Sequence, residues 1–356
     1  MVSSAREVLK PVSAILPRLV REHEVLRVSG LLGSTSQQPA RVLDQARREA
    51  LVWVEKRIGT TLSPEAWKYE SFEHLSGGRN CIGIRLQASG ADVWALRAED
   101  PDKEIPGRVW TTEIVTALGA DPSPRFSLRL VASSLEATLE VDPHTPGLVQ
   151  QLADTCGLRR GPYLIGSEPT VCADDAQGDQ LAKMLTDPTR SLPVIAISLP
   201  ESPWGKGYAL INADALARAT LGLAHVFVVD PSQTWRLTER FGKRLSTYGG
   251  AARIYLPGFT EDSDPYAHKL FLPGQLRSWD GATYATRMLR LVAAQESVRR
   301  TKLGADVLAF SDVRNAALKL SFQELERKGA PDREQLEAAR HQIAALEKQV
   351  DDAKAS

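Results

Sequence analysis

Pro193-Val194-Ile195-Ala196-Ile197-Ser198 is an unbroken apolar run, and His225-Val226-Phe227-Val228-Val229-Asp230 repeats the pattern further along the chain. A strand that is apolar on both sides has to be covered on both sides. The sequence supplies covers, with helical spacing of apolar residues over 148–156, 179–185, 213–221 and 233–245. Uniformly apolar strands alternating with amphipathic helices mark βαβ units. With a further run over 252–257, they predict a central α/β domain with a mainly parallel sheet over residues 136–276. Ile195 and Val228 are then expected to be nearly inaccessible, with helices on both faces of the sheet.

Toward the amino terminus the period changes. Four short runs, 81–87, 92–98, 108–115 and 125–131, are separated by turn signals at Ser89-Gly90, 101–107 and Asp121-Pro122. This predicts an antiparallel meander. Its expected buried face carries Ile82, Ile84, Leu86, Trp94, Leu96, Trp110, Ile114, Phe126, Leu128 and Leu130, and its expected wet face Arg85, Arg97, Glu113 and Arg129. Ahead of it, 40–57 places Val42, Leu43, Ala46, Ala50, Trp53 and Val54 on one helical face, with Gly59 placed to end the helix. Residues 1–32 show two short helical patterns interrupted by Pro11 and Pro17. Residues 1–135 therefore form an expected α+β domain.

Toward the carboxyl terminus, 277–356 reads as a helical arm. Helices are expected over 279–300 and 306–328, and after Gly329-Ala330-Pro331 the residues Leu336, Ala339, Ile343, Leu346 and Val350 recur three and four apart. That is a coiled-coil seam of two heptads, too short to be stable alone. Leu336, Ile343, Leu346 and Val350 are thus expected to meet a partner helix, through a protein partner or self-association, unless the coiled coil continues in a longer chain.

Composition narrows the function classes. The 44 basic and 44 acidic residues cancel, so no net field draws the chain to nucleic acid or anionic lipid. Arginine supplies 31 of the basic residues, a usage that a GC-rich bacterial genome produces. Three scattered cysteines, Cys81, Cys156 and Cys172, fit a reduced cytoplasm better than a disulfide framework or zinc site. No apolar stretch is long enough to span a bilayer. Arg287, Arg290, Arg299, Arg300 and Lys302 share one helix without interleaved aromatics, so nucleic-acid binding is not favoured.

No nucleotide-loop, nucleophile-elbow or metalloprotease motif occurs, and no cofactor is implied. The candidate sites rest on position. In open α/β sheets ligands bind beyond the carboxyl ends of the strands. Those ends are Ser198 and Asp230, and Lys206 lies in the loop between. Asp230 can serve a ligand or cap the helix that follows it. Arg253 and Tyr255, after Gly249-Gly250, can read an anion or stand on a wet edge strand. Arg97, Glu113 and Arg129 can bind an anionic or protein partner, or pair with one another across strands. The arm and the lack of a catalytic signature point to a protein-interaction or regulatory role within a bacterial multi-protein system. The competing class is a hydrolase or nucleotide-processing enzyme built on the strand-end loops.

Overall fold

The computed structural model describes residues 21–33, 38–88, 90–119, 121–134, 141–201, 208–302, 308–327 and 333–355. Its first sheet contains β1 (Arg21–Leu32), β2 (Ser71–Ser76), β3 (Arg79–Ala88), β4 (Ala91–Pro101), β5 (Val109–Leu118), β6 (Arg125–Ser134), β7 (Leu158–Arg160) and β8 (Tyr163–Ile165). The order is β2-β3-β4-β5-β6-β1-β7-β8, antiparallel throughout. The second sheet contains β9 (Thr170–Cys172), β10 (Val194–Ser198), β11 (His225–Val229), β12 (Ala252–Tyr255) and β13 (Leu270–Phe271), in the order β13-β12-β10-β11-β9. The helices are α1 (Pro39–Ile58), α2 (Gly147–Thr155), α3 (Asp175–Thr186), α4 (Ala213–Ala219), α5 (Pro231–Phe241), α6 (Pro273–Leu276), α7 (Gly281–Lys302), α8 (Phe310–Arg327) and α9 (Arg333–Ala355).

Three expectations are corrected here. The central sheet is mixed rather than mainly parallel: β9–β11 and β11–β10 run parallel, but β12 is antiparallel to both β10 and β13. The cause lies after α5. Residues 242–251 bring the chain back beside that helix, where Thr238 Oγ1 meets Ser246 Oγ at 2.8 Å. β12 therefore enters from the edge that β10 leaves, with Ala252 opposite Ile197. Ile195 is fully buried, whereas Val228 is only partly so. Second, 21–32 is a twelve-residue strand, not a helix, and it lies inside the large sheet between β6 and β7.

Third, the faces of the meander were out of step by one residue on β3. Ile82 lies opposite Arg97, Arg97 opposite Glu113, and Glu113 opposite Arg129. Directly opposed residues share a face, so Ile82, Ile84 and Leu86 stand with the ionic residues. Arg85, opposite Trp94, stands with the main core. Neither face of the meander is left entirely to solvent.

On the first face α1 buries eight residues, seven of them apolar and the eighth Arg47. Arg47 is fully enclosed, donating from Nη1 to Asp92 Oδ2 at 2.8 Å and from Nε to Thr116 Oγ1 at 3.1 Å, above the Trp67 ring. The same buried cluster continues through Leu26 and Val28 of β1 to Leu216 of α4 and to Ile195 and Ile254 of the second sheet. Gly222 permits that junction. It has φ +77°, and a Cβ there would stand 2.6 Å from Val28 Cγ1.

The other face of the second sheet packs against α3 and α5 through Leu181, Leu185, Leu237 and Phe241. Beside it Arg190 is fully buried and donates to five carbonyls: Met184, Leu185, Leu192, Tyr255 and Leu256, at 2.6–3.3 Å. All five of its N–H groups can be satisfied in this way. It ties the end of α3 to the entry of β10 and the exit of β12.

Burial, Arg253 and Arg190 push His268 down to about 4, and burial and Arg190 do the same to His225. His268 Nδ1 accepts from the Leu256 N–H at 3.1 Å, which requires that nitrogen unprotonated. Unfolding returns both rings to an ordinary pKa near 6.5, so the unfolded chain binds more protons between those values. Stability is predicted to be full above about pH 6.5 and to fall as pH drops toward 4. Unfolding free energies from urea denaturation at pH 7 and pH 5 should differ by on the order of 1 kcal/mol or more, and by less when both histidines are glutamine. An equal unfolding free energy at the two pH values would contradict this.

Candidate functional site

The strand-end residues do come together, but in an interior. Ser198 is fully buried at the end of β10, and its Oγ lies 3.0 Å from Thr234 Oγ1 and 3.3 Å from the Leu199 carbonyl. Asp230 directly follows β11 and is 6% exposed. Its carbonyl accepts from Thr234 N and Thr234 Oγ1, at 2.9 and 3.1 Å. Asp230 occupies the residue before α5 with Pro231 next, the placement of a cap, but its side chain makes no capping hydrogen bond. Thr234 thus stitches both strand ends to the first turn of α5. Lys206 lies outside the described residues.

Arg253 and Tyr255 are likewise buried. β12 lies between β10 and β13, so the reading as a wet edge strand fails. Arg253 Nη1 donates to the Arg244 carbonyl at 2.8 Å, and the Tyr255 hydroxyl donates to the Leu245 carbonyl at 3.0 Å. Burial pushes the Tyr255 hydroxyl well above its ordinary pKa. Both side chains hold the turn after α5 against the sheet. Two surface clefts are formed by described residues, and neither is lined by Ser198, Asp230, Arg253 or Tyr255. One, about 320 Å³, lies between α3 and α5 beside Gly178, Asp179 and Arg236. The other, about 290 Å³, lies between β1 and α7 beside His23, Val25, Leu291 and Val298. Among the described residues, no group of three or more His, Cys, Asp or Glu side chains is placed to hold a metal ion.

The second sequence-derived set is assembled at the partly exposed second face of the large sheet. Glu113, 6% exposed, receives Arg97 Nη1 at 3.2 Å and Arg129 Nη1 at 3.1 Å, one on each carboxylate oxygen. The chain of charges continues both ways. Arg129 reaches Glu24 at 3.0 Å, Glu24 reaches Arg27 at 2.8 Å, and Arg97 reaches Glu99 at 2.8 Å. Six alternating charges therefore cross four strands. The neighbouring carboxylates, opposing the effect of burial, raise the pKa of Arg129. Glu24 and Arg27 join only because 21–32 is a strand, which helical spacing had concealed.

Beside this ladder the same face is apolar and carries α8. Phe310 and Val313 are buried against Ile82, Ile84, Ala95 and Val115. Beyond this seat α8 pairs with α9, where Lys319 Nζ meets Glu347 at 3.2 Å and Arg340 lies over the Phe322 ring. Lys319 precedes Phe322 and Glu347 follows Arg340, so the two helices run antiparallel as a hairpin. Ile343 falls three residues after Arg340 and four before Glu347, hence on the face toward α8. Ile343 and Leu346 are half-buried. Leu336 and Val350 belong to the same helix, and their side chains lie outside the described set. On α7, Arg290 pairs with Asp142, and Arg299 and Arg300 with Glu296, so this basic run is largely neutralised within the chain.

No family model matches the chain, and comparisons with curated proteins and with solved structures return no match. No helix among the described residues is long and apolar enough to cross a membrane.

The ladder predicts unequal costs along its length. Glu113→Ala leaves two partly buried guanidiniums without their shared carboxylate and should cost about 1–3 kcal/mol in urea denaturation. Glu99→Ala, at the end of the ladder, should cost under about 1 kcal/mol. Equal costs would show that the central carboxylate holds nothing together.

Proposed function

We propose that this chain is a protein-interaction or regulatory protein whose docking element is the α8–α9 hairpin, and that it takes an amphipathic helix from another chain, a second copy included. One observation carries the reading. Of the side chains described along α9, none is fully buried; Ala339, Gln342, Ile343 and Leu346 are only half-covered. The α8 side adds Leu320, 40% exposed. Two antiparallel helices cannot enclose a seam between them, whereas three or four can. The hairpin therefore has the geometry of an incomplete bundle, seated on a rigid sheet at one end.

The strand-end residues support this reading over hydrolysis, because Ser198 and Asp230 are buried where the sheet meets the start of α5. The Ser198 hydroxyl is engaged with Thr234 and the Leu199 carbonyl, unlike a reacting group on an open cleft.

Ile343→Asp with Leu346→Asp places two carboxylates in the seam, a burial too costly for association to survive. The expected result is a lower native mass, or loss of a bound helical partner, with an unchanged melting temperature for the body. An unchanged mass and unchanged partner binding would reject the hairpin as the docking element.

A further inference from the structure

The two faces of the large sheet are covered very unequally. Eight buried side chains fix α1 to the first face. Among the described side chains of α8, only Phe310 and Val313 are fully buried on the second. The residues immediately following Val313 are poorly accommodated. Asn315 Oδ1 is buried without a hydrogen-bond partner. Arg314 is half-buried beside the ladder with no ion pair to a carboxylate among the described residues. Burial and the nearby Arg97 guanidinium lower its pKa, the direction a desolvated cation facing a like charge takes. A buried acceptor and a cation with no counter-charge among the described residues both oppose docking.

We infer that α8 is a releasable latch: the hairpin leaves the sheet as a unit when the Phe310–Val313 seat lifts, while α1 and the rest of the body remain folded. Release frees the α8 side of the hairpin and bares the strip formed by Ile82, Ile84, Ala95 and Val115. A partner that binds the released hairpin draws the chain toward that state by its preference for it. Ladder and latch divide one sheet face between them. The ladder satisfies the charged half internally, so closing the latch has only the apolar half to cover. For its purpose this inference rests on the hairpin being the docking element. Its test uses the isolated chain and no partner, so failure of either reading shows separately.

Hydrogen exchange of the full chain provides the test. Phe310→Ala removes the larger half of the seat, and amides of 310–327 should exchange at least about a hundredfold faster. Amides of α1 and β10 should be unchanged. Arg314→Met with Asn315→Leu removes the two poorly accommodated polar groups, and α8 should exchange about tenfold more slowly. This second variant deletes no packing and keeps the inference testable if Phe310→Ala fails to fold. Acceleration of α1 and β10 together with α8 would overturn the latch, as would unchanged or faster α8 exchange in the double variant.

Discussion

An eight-stranded antiparallel sheet has two faces to keep from water, and this one meets that constraint by three separate means. The first face is closed by α1 and by the second sheet, whose β10, β11 and β12 add Ile195, Val226 and Ile254 to a single buried cluster. On the second face, four strands neutralise their own charges through the Glu24–Arg129–Glu113–Arg97 ladder. The remaining apolar strip is left to α8. An exposed antiparallel face needs no cover when it is polar. The boundary between ladder and strip therefore fixes where a helix must sit, and the position of the hairpin follows from it.

Rigidity elsewhere depends on guanidiniums placed where no charge is ordinarily found. Arg47 anchors α1 to β4 and β5 through Asp92 and Thr116. Arg190 gathers five carbonyls at the meeting of α3, β10 and β12. Burial and the Arg300 charge lower the pKa of Arg190 to about 10, which leaves it protonated at neutral pH. A lysine in either place could not offer the same planar set of donors. These residues make the body a firm support, against which a weakly seated helix can move alone.

Much of this was legible in the sequence, and the failures have physical causes. The apolar runs at 194–198 and 225–229 are strands, and α1, α7, α8 and α9 fall where helical spacing places them. Direction was not legible. Whether β12 runs with or against β10 depends on the path of 242–251, and composition does not encode that path. The register of β3 was misread because Ile82 and Ile84 resemble core residues of the main face, whereas their apolar character serves a helix more than two hundred residues later. β1 was misread because its alternation is weak and its charged residues, Glu24 and Arg27, are satisfied only by strands far away in sequence. Arg97, Glu113 and Arg129 were singled out together, and their cross-strand pairing was one of the two readings considered. Ser198 and Asp230 stand out by their position at strand ends, and Arg253 and Tyr255 by the Gly249-Gly250 turn before them, and neither signal distinguishes a surface from an interior. Arg47, Arg190 and Arg314 carried no signal, because an arginine on a helix face or before a strand ordinarily lies in water.

The unequal hold on the two sheet faces is tested most directly by measuring amide exchange of the unmodified chain through α1 and α8 at increasing sub-denaturing urea. The account predicts that α8 exchanges through a local opening, faster than α1 and with a shallower urea dependence, because the strip bared when the latch lifts is small beside the surface of the whole body. α1 should exchange only through global unfolding, with the steep urea dependence of the whole body. If α8 and α1 instead share one opening free energy and one urea dependence, the hairpin is an integral part of the core and the account is wrong.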